Sequence, residues 1–167
     1  MLSKLTRLLA ALAIAIFPGA ALALHPEIDL TVRWKAQDGT VLKEQTLDTA
    51  ALEALPQSTF STTTPWTDGI QTFSGPSIGE IAALGPHPVK EAKFSALNNY
   101  SGTLPSEDWT VLGAILATRH NGEHMDVRNL GPFWVIYPID KQPSILDVQR
   151  YHGRMVWQVK EVDFVVE

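Results

Sequence analysis

Apolar and polar residues alternate through Ile28-Asp29-Leu30-Thr31-Val32-Arg33-Trp34, the period of two that turns one face of a β-strand to a core and the other to water. Asp38-Gly39 supplies the backbone freedom for a tight hairpin into a second strand from Val41 onward. Asp48 then caps a short helix through Leu55, with Ala51, Leu52 and Leu55 on one face and Pro56 as its stop. Ser58 to Thr64 is β-branched, hydroxyl-rich and extended, and Pro65 keeps Thr64 extended before a loop that starts at Trp66 and turns at Asp68-Gly69. Gly75-Pro76-Ser77 opens a brief helix with Ile78, Ile81 and Leu84 at helical spacing, closed by Gly85-Pro86. Phe94 to Leu97 predicts a strand, and the apolar stretch Leu112 to Thr118 leads to Asn121-Gly122, a two-residue hairpin signal that returns the chain through Met125 and Val127. Strands over Phe133 to Tyr137 and Met155 to Val166 complete a mainly β domain with short helices, an α+β arrangement.

Composition adds a compartment and several exclusions. The chain has 167 residues, 45% hydrophobic and 19% charged, with no repeat or long linker, which predicts one domain over residues 24–167. Lys4 and Arg7 precede an apolar run from Leu8 to Phe17, and Ala21-Leu22-Ala23 offers a small-residue cleavage site. Residues 1–23 therefore predict a signal peptide and an exported protein, since the run is shorter than the roughly 20 residues of a membrane span. Without that segment eleven basic side chains face eighteen acidic ones, and the absence of a basic cluster argues against nucleic acid and anionic membranes. With no cysteine, thiol chemistry and Cys-ligated metals are excluded.

Four blocks carry more than secondary structure: Pro65-Trp66-Thr67-Asp68-Gly69, Ala96-Leu97-Asn98-Asn99-Tyr100, Gly131-Pro132-Phe133-Trp134-Val135-Ile136-Tyr137-Pro138 and Arg154-Met155-Val156-Trp157-Gln158. In order and spacing, over Ser58 to Phe164, they resemble the sulfite-oxidase-fold family of molybdopterin-binding oxidoreductase domains. The resemblance implies a site between these blocks. In the family a cysteine ligand to molybdenum stands three residues before the tryptophan matched by Trp66, and Thr63 occupies that position here. The strand matched by the Gly131-Pro132 block usually supplies an arginine for an oxyanion, whereas this chain has Phe133 and Trp134. A neutral hydroxyl is a poor soft-metal ligand and an aromatic ring neutralises no anion, so both departures disfavour molybdenum and oxygen-atom transfer. What remains suits a flat heterocycle. The chain is thus similar to the cysteine-less periplasmic pterin-binding regulators of the PruR type. That likeness implies a periplasmic location, a reduced, metal-free pterin as ligand and the periplasmic domain of a membrane signalling receptor as partner. A molybdopterin-dependent oxidoreductase without a cysteine ligand is the alternative, and a structural partner with an empty pocket is a third.

The expected ligand-binding residues are Thr63, Trp66, Asp68, Asn98, Asn99, Tyr100, Arg128 and Trp134. Each has a plainer role beside the functional one. Trp66 can stack on a ligand or receptor, or seal the core under its loop. Asp68 can pair with two adjacent pterin N–H groups or form a turn, and Asn98 and Asn99 can meet a ring edge or bond their own backbone. Tyr100 offers a hydroxyl. Arg128 can reach a ring carbonyl or sit in a surface ion pair. Trp134 and Tyr137 lie three apart in one strand and face opposite sides, so at most one lines the site. Trp34 and Trp157 are expected in the core, with Trp109 packed under a turn and Met125 and Met155 as fillers. His120 and His124, four apart, would share a helix face, but Asn121-Gly122 between them predicts a hairpin on which the rings diverge as surface histidines. Neither a Gly-x-Ser-x-Gly elbow nor a phosphate-cradling glycine loop is present.

Overall fold

The computed structural model describes residues 28–141 and 148–167; the expected signal peptide lies outside the described residues. The first alternating segment forms β1 (Leu30–Lys35), with Leu30, Val32 and Trp34 buried. It returns as β2 (Val41–Leu47) through Gly39 at φ +90°, while the Asp38 carboxylate accepts the Thr40 N–H at 2.9 Å. α1 (Thr49–Glu53) starts where Asp48 accepts the Ala51 N–H, and of its expected face only Leu52 is buried. β3 (Gln57–Thr64) and β4 (Thr67–Pro76) make a long hairpin, followed by α2 (Ile78–Ala82) capped by Ser77. Then come β5 (Val89–Ala96), β6 (Ser101–Pro105), α3 (Glu107–Thr110), β7 (Ile115–Ala117), β8 (Arg119–His120), β9 (Glu123–His124), β10 (Trp134–Ile136), α4 (Val148–His152) and β11 (Val159–Val166). Short 3-10 turns span Val127–Asn129 and Ile139–Lys141. The architecture is mainly β with short helices, as the pattern predicts. None of the described helices is long and apolar enough to cross a membrane.

One sheet has the order β2-β1-β11-β5-β6, with β1 and β11 parallel at its centre. That pairing sets Arg33 opposite Asp163, and the solvent face carries ion pairs from Arg33 to Glu44, Glu161 and Asp163 and from Lys35 to Asp163. A second sheet has the order β3-β4-β8-β9, and β10 pairs with β7. Gly75 lets β4 approach β7: a Cβ there would stand 2.1 Å from the Leu116 carbonyl oxygen. The inner faces share one core that includes Trp34, Phe73, Phe94, Ile115, Trp134, Tyr137 and Phe164.

Three segments differ from the sequence expectation, each where tertiary contacts outweigh local pattern. The loop expected from Trp66 is a two-residue turn at Pro65 and Trp66, and Asp68-Gly69 opens β4 instead of turning. The pairing steps from Thr62–Gln71 to Thr64–Thr67, so Asp68, Gly69 and Ile70 bulge opposite Thr63, with Gly69 at φ +65° as the residue that tolerates the bulge. β6 has only Gly102 and Leu104 buried, too faint an alternation to read. Met155 to Trp157, expected in a strand, precede one: Gln158 at φ +52° delays β11 to Val159. The backbone of 155–158 pairs instead with other segments, through Val135 N–H to Val156 O, Gln158 N–H to Leu130 O and Leu97 N–H to Gln158 O.

Candidate functional site

The turn between β3 and β4 presents Trp66 at the surface, 36% exposed. Thr64 holds the turn closed, its hydroxyl bonded to that of Thr67 at 2.8 Å and accepting the Trp66 N–H at 3.2 Å. Because β4 bulges opposite Thr63, that residue turns to another segment. Its N–H and hydroxyl donate to the two oxygens of Asp140, at 2.7 and 2.9 Å, which docks the 3-10 turn Ile139–Lys141 against the hairpin tip.

Trp66 is one step in a continuous set of ring contacts. Its ring centroid lies 4.9 Å from that of Trp157, which in turn lies 6.3 Å from Tyr100 with the two planes only 12° apart. Tyr100 is 45% exposed, and its hydroxyl donates to Gly153 O at 2.8 Å. His152, at the end of α4, stands edge-on to Trp66 at 5.8 Å. Behind Trp66 lies Trp134, edge-on at 5.9 Å, and behind that Phe73 at 5.4 Å. Trp134 is 1% exposed and its indole N–H donates to Met155 O at 3.2 Å, so it supports the surface from within and offers no open face. Tyr137 is likewise fully buried, so neither member of that pair reaches the surface.

Polar groups border the rings on one side. Asn98 accepts the Tyr100 N–H at 2.9 Å, and Asn99, at φ +66°, accepts from Lys160 at 3.4 Å; both asparagines thus serve the β5–β6 turn. Gln158 ties that turn to the opposite segment: its carbonyl takes the Leu97 N–H, while its side-chain amide donates to Val127 O at 2.6 Å. Arg128, in the same short turn, is exposed and its guanidinium forms no ion pair with described residues. Asp68 is exposed on the bulge, contributing its carbonyl to Gln71. The site thus brings Trp66, Tyr100 and, from beneath, Trp134 together around Trp157, with the asparagine turn beside it, whereas Thr63 turns to Asp140 and Asp68 and Arg128 have no described contact with the rings.

Sequence reasoning missed four of the residues that build this surface. The alternating pattern places Trp157 in the core as part of a strand; it is instead half-buried and forms the middle of the surface, since the strand starts only beyond it. His152, Gln158 and Asp140 carry no local signal, because each acts on a residue far away in the chain. His120 and His124 do sit on a hairpin, with Asn121 and Gly122 at φ +52° and +87°. Their rings have different partners: His120 stacks on Phe73 at 4.9 Å, and burial holds its pKa below the ordinary value, while Nε2 of His124 meets Arg119 at 2.7 Å. Arg119 also bonds Glu53, which keeps that carboxyl below its usual range.

The arrangement can stack a flat ring on Trp66 or Tyr100, with Trp157 packed between them. The indole N–H groups of Trp66 and Trp157 bond none of the described residues and are free to donate. Among the described residues, Trp66 and Tyr100 are the exposed rings of this surface. A cleft of about 440 Å³, lined by Gly79, Ala82, His87, Ser106 and Trp109 among others, shares no residue with it. No protein-family model and no curated protein matches the chain.

Proposed function

We propose that this chain is an exported binding protein with a sulfite-oxidase-like fold, which holds a metal-free reduced pterin against the Trp66–Trp157–Tyr100 surface and reports its occupancy to a membrane receptor in the periplasm. The observation that carries the proposal is the surface itself: three aromatic side chains from three separate segments meet, and Trp66 and Tyr100 remain more than a third exposed. Folding normally hides such rings, and each stacked pair with a ligand is worth about 0.5–1.5 kcal/mol beyond area burial. Arg128 and the two free indole N–H groups supply donors for ring carbonyls and nitrogens.

The donor set does not suit molybdenum. Thr63, at the position of the family's cysteine, commits its proton to Asp140, and the carboxylate 2.9 Å away would repel an anionic dithiolene. The exposure of Trp66 and Tyr100 favours a partner. Ligand sites commonly bury about 70–90% of a small molecule, and a receptor closing over these two exposed rings would complete that burial. Such a receptor would sense the ligand directly.

The test is protein purified from the periplasm of cells expressing the full chain, then denatured and examined by mass spectrometry, pterin fluorescence and elemental analysis. A metal-free pterin near one per chain supports the proposal. Stoichiometric molybdenum supports the oxidoreductase alternative, and neither ligand leaves a structural partner.

A further inference from the structure

Behind the platform lies a polar cluster that stacking does not use. Asp108 is 2% exposed, yet its carboxylate sits at the centre of three hydrogen bonds. Tyr137 O–H donates to it at 2.7 Å, and Nη1 of Arg154 reaches its two oxygens at 2.8 and 3.0 Å. Tyr151 completes the group, edge-on to Tyr137 at 5.3 Å and under the Arg154 guanidinium at 5.6 Å. Burial raises the Asp108 pKa, opposed by its bonds to Tyr137 and Arg154.

The cluster joins α3, the chain just beyond β10 and the segment that runs from α4 into β11. That last segment carries the platform. Next to Arg154, Gly153 O accepts the Tyr100 hydroxyl, His152 stands against Trp66, and Trp157 follows three residues later. Gly102 leaves room for it: a Cβ there would stand 2.9 Å from Val156 and 3.0 Å from Gly153 O. A buried ion pair is commonly no more stabilising than apolar side chains of the same volume, so stability alone is a weak reason for one here. Directional bonds do what apolar contacts do not: they fix one arrangement of residues 151–154, which lie ahead of the backbone bonds that hold Val156 and Gln158.

We propose that Arg154 is a positioning residue: its bonds to Asp108 lock the 151–157 segment so that Trp157 stands between Trp66 and Tyr100 as a preformed stacking surface. The consequence for affinity rests on the pterin proposal above, whereas the consequence for ring geometry does not.

The test replaces the cluster by apolar groups in the triple variant Asp108→Leu/Tyr137→Phe/Arg154→Met, which leaves no orphaned charge. Near-UV circular dichroism reads the Trp66–Trp157 coupling, identified as the signal lost in both Trp66→Phe and Trp157→Phe, and titration with 7,8-dihydrobiopterin reads affinity. With far-UV spectrum unchanged, the triple variant is expected to lose at least half of the coupling signal and about tenfold in affinity, roughly the 1.4 kcal/mol of one decade. Retention of the wild-type coupling signal would overturn the inference. If wild type binds no dihydrobiopterin, the pterin proposal falls and the coupling signal alone decides. Should the triple variant not fold, Asp108→Asn/Arg154→Met reads the same quantities with the same two outcomes.

Discussion

Thr63 gives both its backbone N–H and its hydroxyl proton to Asp140, 77 residues away, at 2.7 and 2.9 Å. The β4 bulge is the cause, because it removes the ladder partner that Thr63 would otherwise face. A carboxylate that accepts two hydrogen bonds at this point defines the electrostatics of the hairpin tip: it favours neutral or protonated groups and opposes anions.

Replacing the hydroxyl by a thiol tests that field. In Thr63→Cys the thiol is expected to titrate above the ordinary value of about 8.5, since the Asp140 carboxylate disfavours a second negative charge. The pH dependence of alkylation by iodoacetamide measures it. Rapid alkylation below neutral pH would show that Asp140 does not govern the position and would restore a soft-metal site as a possibility.

Trp66 and Trp134 touch each other but are expected to respond oppositely to truncation. Trp134→Ala empties a site that is 1% exposed and removes the bond to Met155 O, so it should cost about 3–5 kcal/mol. Trp66→Ala, at a turn, should cost less than about 2 kcal/mol while weakening pterin binding at least tenfold. Urea unfolding and ligand titration on the two variants separate support from contact. Collapse of Trp66→Ala would make that ring a core element.

Gly75→Ala should be among the most damaging single-methyl additions in the chain. The new Cβ would meet backbone on the neighbouring strand, Leu116 O at 2.1 Å and Ala117 Cα at 2.8 Å, neither of which can rotate away. Separating β4 from β7 is expected to cost about 3 kcal/mol, the upper end of ordinary overpacking. Gly39→Ala meets no neighbour within 4 Å, so only the backbone strain at φ +90° opposes it. Denaturation midpoints of the two variants compare a clash with a strained turn.

His120 predicts a pH dependence with a definite sign. Burial depresses its folded pKa, so the folded state favours the neutral ring that stacks on Phe73 with planes 8° apart. Its contribution is fully present above the unfolded value of about 6.5 and is lost as pH falls through the lower folded pKa. Between pH 8 and pH 5, calorimetry should show a smaller fall in melting temperature for His120→Phe than for the wild type. An equal fall would mean that this ring does not couple to folding.

Legibility differed between neighbouring residues for a physical reason. The Asp48 cap, the helix opening at Gly75-Pro76-Ser77 and the turns at Gly39 and Asn121-Gly122 are readable, since each depends on atoms within a few positions. Trp157 is not. Its apolar neighbours suggested a continuing strand, and the break comes from Gln158, whose backbone bonds Leu130 and Leu97. Of the expected site residues, Trp66 and Tyr100 stand at the surface, while Trp134 is held under it by a partner that no local pattern announces.

Sequence alone determined that this is a mainly β chain with short helices, without thiols and with aromatic residues at its turns, because alternation, capping and composition are local properties. Only the tertiary structure decided which aromatics share a surface. Tyr100 meets Gly153 across 53 residues and Arg154 meets Asp108 across 46, and such pairings follow from how the sheets and loops pack together. Long-range hydrogen bonds and close backbone approach, which leave no periodic trace along the chain, turned three separate rings into one platform.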